Sequence, residues 1–67
     1  MPIADQVRMA NDIARQFAHL EPDKAVGEIA THLRSFWDPR MRAQLQQAVD
    51  EGAEGIDPLV IAAVARR

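Results

Sequence analysis

Apolar side chains recur every three or four residues along most of this chain, which is the spacing of one face of an α-helix. A divider of fixed form, an apolar residue followed by an acid and a proline, interrupts this spacing at residues 20–22, 37–39 and 56–58. Proline is favoured at the first position of a helix, and it disfavours helical geometry in the residue before it. The pattern therefore predicts an all-α fold, a small bundle of three to four short helices in a single domain over residues 1–67. The predicted helices span about 4–20, 22–36, 39–51 and 58–66.

Two of the dividers place an aspartate directly before the proline, as Asp38-Pro39 and Asp57-Pro58. Aspartate is a good N-cap because its carboxylate accepts a hydrogen bond from a free backbone N–H of the first helical turn. We therefore expect these two pairs to cap the third and fourth helices. At the first divider Glu21 is a weaker cap, and Asp23 is the alternative.

The helical spacing also predicts which side chains face the core. In the second predicted helix, Gly27 favours the close approach of another helix over local fraying. The predicted core positions are Ile3, Val7, Ala10, Ala14 or Ile13, Phe17 and Leu20 in the first helix, Val26, Ile29, Ala30, Leu33 and Phe36 in the second, and Met41, Leu45, Ala48 and Val49 in the third.

The last segment, residues 58–66, is apolar on nearly all sides until Arg66. A helix of this kind must be covered from several directions, which a chain of this length has difficulty doing. Its β-branched residues make a short strand the competing prediction, but the Asp-Pro start and the alanines favour a helix. Ile56 and Ile61 also have the spacing of a hydrophobic staple across the start of a helix.

Composition sharpens this picture. A chain of 67 residues builds only a thin core and often needs a disulfide, a metal or a partner chain. There is no cysteine, which excludes disulfides and thiolate ligation of zinc or iron–sulfur clusters. Helix packing or association must therefore stabilise the fold. The longest apolar run is far too short to span a membrane, and no secretory signal is present, so we expect a soluble, cytoplasmic protein without membrane contact.

No constellation of residues in the sequence indicates catalysis. His19 and His32 lie in different segments, and the one pair at a helical metal-ligand spacing, Glu28 and His32, is a weak signal because such pairs often occur by chance. Ser35, the sole serine, has no neighbouring base that would activate it. The chain has no glycine-rich phosphate loop, and its paired carboxylates fall in the glycine-containing stretch 50–57, where solvent is expected to surround them. We expect no catalytic residue, no cofactor and no metal in this chain, and no independent enzyme activity.

The densest stretch is FWDPRMR, residues 36–42. Tryptophan and arginine are over-represented in the hot spots of protein interfaces. We therefore interpret this stretch as a partner-binding surface, with the alternative that its aromatic residues only close the core at a corner between helices. Nucleic-acid binding is disfavoured because the net charge is −2. The candidate partner-binding residues are Phe36, Trp37, Arg40, Met41 and Arg42.

Three stretches together resemble the delta subunit of the NAD-dependent, molybdenum-containing, soluble formate dehydrogenase of bacteria. They are MANDIARQF at 9–17, IATHLRSFWDPRMRAQL at 29–45 and PLVIAAVARR at 58–67, and HLRSFWDPRMR is the most specific part. The resemblance implies a cofactor-free accessory subunit associated with a large alpha subunit that holds a molybdenum–pterin cofactor and iron–sulfur clusters. It also implies beta and gamma subunits that carry FMN and further clusters, in a complex that oxidises formate to carbon dioxide and reduces NAD.

The leading hypothesis from sequence is thus a non-catalytic subunit that docks on the large catalytic subunit and supports its assembly or stability. Two alternatives stay open. The chain is a transient maturation factor that leaves the same subunit after cofactor insertion, or it is a free-standing helical module that self-associates when isolated.

Overall fold

The computed structural model describes residues 5–66, and over that range the chain forms four α-helices joined by short connections. The predicted all-α fold class is confirmed, and the fourth segment is a helix rather than a strand. Ile3 and residue 4, which the sequence placed near the start of the first helix, lie outside the described residues, as does Arg67. The helices are α1 (Asp5–Phe17), α2 (Pro22–Phe36), α3 (Pro39–Asp50) and α4 (Pro58–Ala65).

Helix α1 ends at Phe17, three residues before the predicted end at residue 20. The Ala18 N–H donates to the Arg15 carbonyl at 3.4 Å and the Leu20 N–H donates to the Phe17 carbonyl at 3.0 Å, so the chain tightens into turns there. Pro22 also requires a non-helical conformation of Glu21, whose ψ is 147°. The helix must therefore stop early enough for the chain to turn before α2 begins.

All four helices contribute to one core, and α2 and α4 share the most extensive contact. Most of the buried positions are ones that the helical spacing predicted, while Phe17, Val26, Met41, Ala48 and Val49 are partly buried against them. The buried apolar side chains are Val7, Ala10, Ile13, Ala14, Ala25, Ile29, Ala30, Leu33, Trp37, Leu45, Ile56, Val60 and Ala63.

Phe36 departs from its predicted place in the core, because it is 75% exposed. It is the last residue of α2, and the chain turns into an extended conformation at Trp37, whose φ is −93° and ψ is 138°. Trp37, at 6% exposure, occupies the core at this end of the helix instead. Periodicity alone predicted the wrong aromatic residue because the helix ends between the two.

Helix α4 is covered on one side only. Val60 and Ala63 are buried in the core, whereas Ile61 is 43% exposed and Ala62 is exposed. Ile56, the first residue of the predicted staple, is buried at the start of this helix. As the sequence indicated, the chain has more apolar surface on this helix than its other residues cover.

The end of α3 is closed by a Schellman motif at Gly52. The Gly52 N–H donates to the Val49 carbonyl and the Ala53 N–H donates to the Ala48 carbonyl, both at 3.0 Å. Gly52 has a φ of +71°, in the left-handed region that side chains with a Cβ rarely adopt. The two hydrogen bonds satisfy carbonyl groups that the end of a helix would otherwise leave without partners.

Gly27, in contrast, lies inside α2 with ordinary helical geometry. A Cβ at this position would meet the Arg66 guanidinium, with Nη1 at 3.0 Å. The close approach that the sequence indicated is therefore made by a side chain that follows α4, not by the backbone of another helix. The same Nη1 donates to the Asp23 carbonyl at 3.4 Å.

We expect Gly52→Ala and Gly27→Ala to change the free energy of unfolding in opposite directions. Gly52→Ala forces a Cβ into the left-handed region and should lower it by about 1–2 kcal/mol. Gly27→Ala improves helix propensity and should raise it by up to about 1 kcal/mol, since only the flexible end of Arg66 has to move. Urea unfolding followed by circular dichroism measures both, and midpoints that shift in the same direction would contradict this account.

Candidate functional site

The α2–α3 corner, residues 36–42, is a turn of fixed geometry. The Trp37 N–H donates to the Leu33 carbonyl at 3.2 Å and so closes the end of α2. Asp38 is the N-cap of α3, with its Oδ1 accepting from the Met41 N–H at 2.9 Å, and Pro39 is the first helical residue. The backbone of the corner is thus already ordered in the isolated chain, so binding a partner there would cost little further backbone entropy.

The two aromatic residues of the corner point in opposite directions. Trp37 belongs to the core cluster, whereas Phe36 presents most of its ring to solvent. Met41 is half-buried and packs against the core. Of the candidate partner-binding residues with large apolar side chains, Phe36 therefore offers a partner the most surface in the isolated chain.

Phe36 is paired with His32, one turn earlier on α2. The ring centroids are 4.8 Å apart and the planes are tilted by 43°, a common arrangement for neighbouring aromatic rings. Sequence reasoning considered His32 only as a metal ligand and missed this pair. Its i, i+4 spacing to Phe36 was the available signal, because residues four apart share one face of a helix.

The two arginines of the corner lie in different surroundings. Arg40 and Arg42 are both exposed, but only Arg42 lines a cleft of about 230 Å³ between α2, α3 and α4. We call this the arginine cleft, because Arg34 of α2 and Arg66 after α4 also line it. A more open cleft of about 420 Å³ adjoins it and shares Arg34 and Arg66.

A second corner, before α4, depends on a residue that sequence reasoning did not single out. Asn11 of α1 donates from Nδ2 to the Gly55 carbonyl at 2.7 Å and accepts at Oδ1 from the Asp57 N–H at 2.9 Å. Asp57 is the N-cap of α4, with its carboxylate accepting from the Leu59 N–H at 2.8 Å, and Pro58 is the first helical residue. The amide of Asn11 thus ties the acidic connection between α3 and α4 to α1.

Within residues 5–66, no group of three or more histidine, aspartate or glutamate side chains is placed to hold a metal ion. None of the helices in that range combines the length and apolar character needed to cross a membrane.

Comparison with known proteins adds a family match to this geometry. A family model described as NADH-dependent formate dehydrogenase delta subunit FdsD matches residues 6–64. The match includes the α2–α3 corner, Asn11 and the connection that Asn11 holds, and it reaches into α4. Neither the curated proteins nor the solved structures contain a match to this chain.

Proposed function

This chain belongs to the family of NADH-dependent formate dehydrogenase delta subunits, and on that premise we propose that it is a non-catalytic subunit of such a complex. In this proposal it docks on the large, molybdenum-containing alpha subunit in the cytoplasm and supports the assembly or stability of that subunit. The family match over residues 6–64 is the observation that carries the proposal. The molybdenum–pterin cofactor, iron–sulfur clusters, FMN and NAD site then belong to the alpha, beta and gamma subunits.

We place the docking surface at the α2–α3 corner, around Phe36. A phenylalanine that is 75% exposed on a capped, rigid turn supports this choice, since a partner can bury the ring without first ordering the backbone. Arg40, Met41 and Arg42 follow within the same corner and supply residue types that are enriched at interfaces. Trp37 contributes by holding Phe36 outward from the core.

Deleting the gene for this chain in its native host tests the assembly role. Without it, we expect less large subunit in the assembled dehydrogenase and less formate-dependent reduction of NAD in cell extracts. The wild-type chain supplied on a plasmid should restore both, while Phe36→Asp should not, because it places a charge where an apolar contact is proposed. Full assembly and activity in the absence of the chain would contradict the proposal.

The composition of the mature complex distinguishes the proposal from its alternatives. A stable subunit should be present in the purified dehydrogenase at a near-equal ratio to the large subunit. A transient maturation factor would be required for assembly yet missing from the product. A homo-oligomeric module would show a mass that rises with concentration, without the large subunit.

A further inference from the structure

The arginine cleft joins a positively charged rim to an apolar floor. Arg34, Arg42 and Arg66 come from three different parts of the chain, and all three are exposed. Gln46 is the remaining polar residue described along the wall. The floor between them is formed by Ala30, Leu33, Leu45, Ala63 and Val64.

The charge of this cleft differs from that of the whole chain. The chain has a net charge of −2, yet no carboxylate side chain from residues 5–66 lines the cleft. The ion pairs formed between described residues lie on α1, where Arg8 pairs with Asp5 and Arg15 with Asp12. The cleft therefore concentrates positive charge on an otherwise acidic chain.

We infer that the arginine cleft receives an acidic, partly apolar segment of the large subunit, an inference that rests on the proposed function. Guanidinium groups bind carboxylates through paired, charge-assisted hydrogen bonds, so the rim selects acidic side chains. The apolar floor gains stabilisation only if the ligand also carries an apolar group to cover it. A small inorganic anion would leave that floor wet, whereas a polypeptide segment satisfies both parts.

The position of the cleft also fits a docking role. Arg42 belongs both to the α2–α3 corner and to the cleft wall, so the cleft begins at the corner where the docking surface is proposed. Arg66 lies over α2, where its guanidinium donates to the Asp23 carbonyl at 3.4 Å and remains exposed. The cleft thus adds a charged contact to the apolar one proposed at Phe36. Charge complementarity helps to select the correct partner and raises the rate of association.

Affinity for the purified large subunit, measured at low and high salt, tests this inference. We compare the wild-type chain with the double variant R34Q/R42Q and with the control R8Q/R15Q. The control also removes two positive charges, but from α1. R34Q/R42Q should bind at least about tenfold more weakly at low salt and lose most of its salt dependence, since it removes exposed rim charges that attract the acidic segment and that salt screens. The control should stay within about twofold, because its exposed pairs contribute little.

Each other outcome contradicts a specific part of the proposal. If the wild-type chain binds and R34Q/R42Q binds equally well at every salt concentration, the cleft inference is wrong and the proposed function stands. If the wild-type chain does not bind the large subunit, the proposed function itself fails. If inorganic phosphate raises the unfolding temperature through Arg34 and Arg42 while affinity for the large subunit is unchanged, the cleft is a small-anion site. If the isolated chain dimerises through these arginines, the occupant is a second copy. Circular dichroism of each variant confirms that the helices are retained.

Discussion

Trp37→Ala is expected to remove a large share of the free energy of unfolding of the isolated chain. The side chain is 6% exposed and belongs to the core cluster, and truncating a buried tryptophan costs about 3–5 kcal/mol. A domain of 67 residues has a total of only about 3–10 kcal/mol. Urea unfolding followed by circular dichroism measures the effect, and the urea midpoint of the variant should lie far below that of the wild-type chain.

Phe36→Ala is the matched control, since it removes the neighbouring aromatic ring from a largely exposed position. Its free energy of unfolding should change by less than about 0.5 kcal/mol, as for most surface substitutions. Its affinity for the large subunit should fall by about thirtyfold or more, the size of a binding hot spot. If Trp37→Ala leaves the chain as stable as Phe36→Ala does, the placement of the two rings is wrong.

Asn11→Ala is expected to lower the free energy of unfolding by about 1–3 kcal/mol, because two hydrogen bonds are lost and a part-buried N–H is left without its partner. The effect has a local signature. The Asp57 amide hydrogen should exchange with solvent faster in the variant, since its acceptor is gone, while amides in the middle of α2 keep their relative protection.

Gln46→Ala is the control for Asn11→Ala. Gln46 also donates from a side-chain amide, to Asp50 at 2.9 Å, but this bond lies on the exposed surface of α3 and joins residues of one helix. Its loss should cost no more than about 0.5 kcal/mol and should leave the exchange of the Asp57 amide unchanged. An equal effect of both variants would contradict the tertiary role of Asn11.

The helix starts were predictable because their causes are local. The dividers at residues 37–39 and 56–58 each contain a cap and a proline that act on the next few residues, and the structure shows both carboxylates accepting hydrogen bonds in that way. The end of α1 was less predictable, since it depends on turns at residues 18–20 for which the apolar spacing carries no signal.

Features that join distant parts of the chain were not predictable from a single sequence. Asn11 is separated from Asp57 by 46 residues, so nothing local identified its role. The arginine cleft likewise exists only because the fold brings α2, α3 and the end of α4 together. Phe36 and Trp37 are adjacent, and their opposite orientations depend on where α2 stops, which periodicity alone does not determine.

Co-purification tests the central claim, docking on the large subunit, most directly. A tagged copy of the chain is recovered from its native host, and the amounts of large subunit and bound molybdenum are measured for each tagged chain. We predict a near-equal ratio for the wild-type chain and a strong loss for Phe36→Ala, with the helical signal of the variant intact. Recovery of the 7.5 kDa chain without the large subunit would contradict the account.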